Sequence, residues 1–235
     1  MSDSPASKID SYINKGWENF GDATGVIGDE RTRLMRKAIT YLSMAEQQNP
    51  TVEDDQKFIY GLSSLCFAFI EEWEKSKQYQ KLAMAIDPQN FWAKIAAHFT
   101  ALNVWGNHRG FVAQGDGSLG GLFAVLVTAG ASKAVDNSKR NNVLNTAIEA
   151  ANAYQCYCQT VKDPSAYGFY IRFWLLKSIA ETLWENHLRD RRICDILLAT
   201  PWDKVDSDTI NDPKEFEDTK EDFEVDVLGL IAMIK

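Results

Sequence analysis

Histidine and cysteine are scarce in this 235-residue chain: three histidines, at His98, His108 and His187, and four cysteines, at Cys66, Cys156, Cys158 and Cys194. No Cys-x-x-Cys, His-Glu-x-x-His or Glu-x-x-His occurs. Zinc sites and helical di-iron sites need such spacings, so neither a metal nor a cofactor is expected. Cys156 and Cys158 lie two apart on an apparent helix and so point in different directions. The cysteines read as small buried hydrophobes in a reducing compartment. Gly-x-Ser-x-Gly is also absent, because Ser118 is preceded two positions back by Asp116, and no catalytic residue is expected.

Basic residues are outnumbered, 25 Lys and Arg against 33 Asp and Glu, for a formal net charge of −8. An acidic surface repels phosphate backbones, which argues against nucleic acid as a partner. The dense basic spots, Lys139-Arg140 and Arg189, Arg191 and Arg192, read as solvated helix ends. Long apolar runs are missing too. Met1 to Pro5 has no hydrophobic segment of the signal-peptide kind. Leu119 to Ala131 is broken by Gly120, Gly121 and Gly130 and is too short to span a bilayer. A cytoplasmic protein without a membrane span is expected.

What the chain does have is helical periodicity, with 45% hydrophobic residues and 25% charged, the balance of a globular domain. Ile9, Tyr12, Ile13, Gly16, Trp17 and Phe20 recur at spacings of three and four and predict a first helix. Gly21 to Gly28 reads as a loop. Further helices are predicted over 29–48, 52–74, 76–86, 90–105, 137–161, 165–187 and 189–199. Six glycines in the sixteen residues from Gly106 to Gly121 predict a loop, and Leu122 to Val135 an apolar, buried segment. Trp202 to Asp212 reads as a linker. Pro213 to Ile234 reads as a terminal helix, with a strand as the alternative because Phe223, Val225 and Val227 alternate with acids.

One stretch recurs. Ala38 to Pro50 is echoed by Tyr79 to Asn90; each is a short helix with small residues on one face, stopped by proline, and Pro50 and Pro88 lie 38 residues apart. That is a helical-repeat period. Tyr60, Ser64 and Phe67, followed by Ser76, Ala83 and Pro88, resemble a tetratricopeptide repeat. Ala38, Leu42, Ala45 and Pro50 match its second helix, and Tyr12 and Gly16 supply a first helix at the cost of a long turn. The resemblance implies an all-α fold of stacked antiparallel helix pairs and a groove that binds other proteins.

The expected organisation is helix pairs over 1–105, a Gly-rich loop and apolar insert over 106–135, further pairs of the same array over 136–202, and an acidic segment over 203–235. Residues Asp203 to Asp226 hold eleven acids against three lysines, a solvated segment or a docking surface for a basic partner. Gly115 to Gly121 lacks the Gly-Lys-Ser/Thr ending of a phosphate loop and reads as flexible connection. Leu119, Leu122, Phe123, Val125, Leu126 and Val127 read as core, with docking as the alternative. Glu71, Glu72 and Glu74 read as a solvated, mixed-charge surface beside Lys75 and Lys77. Most of the seven tryptophans are expected in the core; Trp92 and Trp105, flanking the fifth helix, are the candidate partner-binding anchors. The leading function is a non-enzymatic adaptor binding a peptide or helix of another protein. An enclosed pocket for a small apolar ligand is the alternative, and an enzyme comes third.

Overall fold

The computed structural model describes residues 5–108, 133–162, 164–188 and 190–233. Among these residues the secondary structure is helical throughout, with nine α-helices and no strand. They are α1 Pro5–Thr24, α2 Gly28–Gln47, α3 Glu53–Phe69, α4 Trp73–Ile86, α5 Phe91–His108, α6 Lys133–Thr160, α7 Ala166–Glu185, α8 Arg191–Leu198 and α9 Pro213–Met233. Two 3₁₀ turns, Trp202–Lys204 and Ser207–Thr209, join α8 to α9.

Neighbouring helices pack in pairs: α1 with α2, α3 with α4, α5 with α6. The connections within the first two pairs are residues 25–27 and 70–72. Helices that pack along their length across three residues run in opposite directions. Successive pairs then stack through α2 on α3 and α3 on α5, and α7, α8 and α9 continue the packing against α6 and one another.

Small residues set the approach within each pair. Ser64 and Ser76 are fully buried, and the Ser76 hydroxyl donates to the Ser64 carbonyl at 2.8 Å, tying α4 onto α3. A Cβ at Gly16 would stand 3.0 Å from Leu42, so glycine lets α1 lie close over Leu42 and the buried Ala38. Between α3 and α5 the close contact is Gly61 beneath Asn90. That asparagine caps α5 by accepting from the Ala93 amide at 3.0 Å, and its Nδ2 donates to the Lys57 carbonyl at 2.9 Å.

Helix ends differ from the periodicity reading where tertiary contacts or backbone motifs intervene. The loop expected at 21–28 is mostly helix, because α1 runs to Thr24. Gly21 serves packing there: a Cβ would overlap the Tyr167 hydroxyl. The helix expected over 52–74 stops at Phe69. Glu71 takes the left-handed conformation, φ 62°, and the Glu72 amide reaches back to the Phe67 carbonyl at 2.9 Å. This is a Schellman stop without glycine. His187, φ 58°, closes α7 the same way through the Leu188 amide and the Leu183 carbonyl. Glu71 and Glu72 therefore form the α3–α4 turn, and Glu74 lies in the first turn of α4.

The fifth helix extends through Gly106 to His108. The remainder of the expected Gly-rich loop, and most of the apolar segment up to residue 132, lie outside the described residues. The expected linker at 202–212 is instead packed structure. Trp202 is buried, with ring centroids 5.6 Å from Phe169, 5.1 Å from Phe173 and 6.2 Å from Phe216. The last segment is helix, not strand: Phe216, Val227 and Leu230 share one buried face of α9, and its start is capped by Asp212, which accepts from the Lys214 and Glu215 amides. Lys177 of α7 pairs with Asp226 of α9 at 2.6 Å.

Candidate functional site: open interhelical clefts

Stacked helix pairs leave furrows where side chains of adjacent pairs diverge. The first cleft lies between α2 and α4, over the C-terminal end of α3, and is lined by Arg36, Ile39, Ser43, Phe67, Ile70, Glu72, Lys75 and Tyr79. Its floor is aromatic: Phe67 and Tyr79 stack with centroids 5.4 Å apart, and Tyr60 meets Tyr79 at 6.1 Å. Its rim is charged. Arg36 Nη1 donates to Glu72 Oε1 at 3.1 Å, and Lys75 Nζ to Glu72 Oε2 at 2.7 Å. The Lys75 ammonium also stands 5.3 Å from the Phe67 ring centre. The hydrogen bond from Lys75, with Arg36 nearby, holds the Glu72 carboxyl below its ordinary value. The Tyr79 hydroxyl donates to Glu46 at 2.9 Å; burial and that carboxylate push it up to about 12, so it remains a neutral donor.

The second cleft lies where the N-terminal helices α1 and α3 meet α6 and α7. Ile13, Trp17, Phe58 and Tyr157 form its apolar walls, and Asn14, Lys162 and Ser165 its polar border. Arg172 reaches into it from α7. The guanidinium carbon stands 4.3 Å from the Trp92 ring centre and 4.1 Å from that of Tyr157. Trp17 meets Trp92 edge-on at 5.5 Å and completes the wall. Burial holds the arginine below its ordinary pKa, opposed by Tyr157 and Tyr154. A third cleft, between α7 and α9, is lined by Tyr167, Tyr170, Asp212, Glu215 and Phe216 and carries the acidic border of the C-terminal segment.

The two tryptophans singled out by sequence sit inside the protein. Trp105 is 0% exposed and Trp92 3%. Neither presents a face to solvent, and Trp92 acts instead as the inner wall beside Arg172. Cys66, Cys158 and Cys194 are buried free thiols, and Cys156 is half-buried. Burial pushes the Cys158 and Cys194 thiols up to about 11. His98 is fully buried, with Nδ1 3.3 Å from the Thr146 hydroxyl, and desolvation pushes it down to about 3. Among the described residues no helix is long and apolar enough to cross a membrane.

No short motif marks Arg172. Its signal was available in the pattern: it is the only charged residue between Asp163 and Lys177, inside an aromatic helix. A charge inside an apolar stretch of helix must be paired, caged or used. No family model matches the chain, no curated protein is found to be similar, and no solved structure matches it.

Proposed function

We propose that this protein is a non-enzymatic interaction module of the cytoplasm, built as a tetratricopeptide-like helical repeat, whose α2/α4 cleft takes a peptide or helix of a partner protein. The observation that carries the reading is the composition of that cleft: the Phe67–Tyr79 stack as floor, with Arg36, Glu72 and Lys75 held in a preset charged rim. Aromatic floors supply contact area at low entropic cost, and rim charges set orientation and encounter rate. The repeat resemblance is supported by the same region. Ser64 and Ser76, two of its signature positions, touch across the α3–α4 pair, and small residues at those positions let paired helices approach.

The clefts described above open to solvent, which favours a groove over an enclosed pocket for an apolar ligand. The test is affinity capture from native extract with the full chain, repeated with the double charge reversal Arg36→Glu and Lys75→Glu. Both side chains are exposed, so the fold should survive, as circular dichroism will show. A protein partner held by the natural chain and lost by the variant supports the reading. Equal retention by both, no retained protein, or turnover of a metabolite by the isolated chain rejects it.

A further inference from the structure

The third cleft forms where the N-termini of α7 and α9 meet, with Thr209 and the residues after it closing one side. Its walls are fixed before anything enters. The Thr209 hydroxyl accepts from the Ala166 amide at 2.9 Å, which pins that side to α7. The Tyr170 hydroxyl donates to the Phe216 carbonyl at 3.1 Å, and the two rings stand 5.6 Å apart. Tyr167 is 46% exposed yet held from behind. Its ring meets Trp17 edge-on at 5.6 Å, and its hydroxyl fills the space that a Cβ at Gly21 would take. An exposed ring that is already ordered offers contact area without the entropy cost of immobilising it.

Charge narrows the occupant. Two helix N-termini would by themselves attract an anion, at roughly half a positive charge each. Their amides are already answered: Ser165 accepts from Gly168 and Phe169, and Asp212 from Lys214, Glu215 and Phe216. Acids outweigh the helix ends, because residues 206–220 hold six against two lysines. One of those lysines, Lys220, is paired with Glu217 at 3.3 Å. Asp212 and Glu215, both exposed, line the cleft, and no cation lines it among the described residues. Burial, and then the nearby Glu215 and Glu217 carboxylates, push the Tyr170 hydroxyl above its ordinary pKa, which sets Glu215 beside that tyrosine.

Size narrows it further. The cleft measures about 260 Å³, below the roughly 300–1,000 Å³ of small-molecule sites, and suits one side chain of a partner. An apolar side chain would be set against two carboxylates. Arginine meets both features, since its flat guanidinium stacks on aromatic rings and forks onto carboxylates, where lysine offers a point charge.

We propose that the α7/α9 cleft docks an arginine side chain from a basic segment of a partner protein, against Tyr167 and Tyr170 and paired with Glu215. The cleft shares no lining residue with the α2/α4 cleft, so the two readings are tested apart.

The test is calorimetric titration of the full chain with a capped glycine–serine peptide carrying two arginines. The same peptide is run with two lysines and with two citrullines, the neutral isostere, and tetramethylammonium is the free-cation control. The arginine peptide should bind saturably, with the lysine peptide at least about threefold weaker. The citrulline peptide and tetramethylammonium should each be at least about tenfold weaker. Glu215→Gln and Tyr167→Ser should each lose at least about fivefold in affinity. Glu53→Gln removes the same charge from an exposed position on α3 and should change affinity by less than about twofold.

No saturation by the arginine peptide overturns the proposal. So does equal binding of the lysine peptide, the citrulline peptide or tetramethylammonium, or a loss in Glu215→Gln no larger than in Glu53→Gln. If Tyr167→Ser fails to fold, Glu215→Gln against Glu53→Gln decides.

Discussion

Replacing Trp202 with alanine tests whether the acidic C-terminal segment is part of the folded body. The indole is 7% exposed and lies within ring-contact distance of Phe169, Tyr170 and Phe173 on α7 and Phe216 and Phe223 on α9. A buried tryptophan removes about 200 Å² from water, which at about 25 cal/mol per Å² corresponds to about 5 kcal/mol. Alanine keeps a little of that area, and the cavity relaxes in part, so a loss of about 4 kcal/mol is expected, within the usual range of Trp→Ala changes. Trp202→Phe keeps a ring among the other rings and should cost about 1.5 kcal/mol. Urea unfolding followed by circular dichroism measures both. Limited proteolysis of the alanine variant should cut between 203 and 233 before it cuts α1 to α5. A loss below about 1 kcal/mol, or equal losses for alanine and phenylalanine, would refute the reasoning that this indole pins α9 to α7.

Two further predictions rest on single contacts. Gly61→Ala should lose about 1–3 kcal/mol, because the methyl overlaps the Asn90 amide that caps α5 and outweighs the helix-propensity gain of about 1 kcal/mol. Gly229→Ala, with open space around it, should be neutral or gain up to about 1 kcal/mol, and denaturant midpoints of the two variants give the comparison. His98 is held neutral in the fold at about 3 and ionises near 6.5 when unfolded. Between these values the unfolded state binds the extra proton, so stability falls as pH falls below 6.5 and is unaffected by this group above it. From pH 6.5 to 5 the natural chain should lose up to about 1.4 kcal/mol per pH unit more than His98→Gln; coincident slopes in urea titrations would exclude the effect.

Much of the helical layout was legible in the chain. Spacings of three and four marked the faces of α1, α2, α5 and α7, and Pro50 and Pro88 lie beyond the ends of α2 and α4. The small residues Gly16, Ser64 and Ser76 marked the pair contacts, because close helix approach leaves no room for more. The stop at Glu71 was hidden, since a left-handed glutamate carries no compositional mark where glycine would. Trp202 looked like part of a linker because its neighbours in sequence are polar, while its neighbours in space are five aromatic rings.

Local sequence determined that this protein is helical and that its helices associate in neighbouring pairs, because periodicity, small residues and proline act over one or two turns of chain. Only the tertiary structure decided which aromatic residues are interior and which line a cleft. Trp92, a candidate anchor by sequence, is buried beside Arg172, a residue 80 positions away. That pairing depends on α5 and α7 converging, a long-range packing outcome with no trace in the residues on either side.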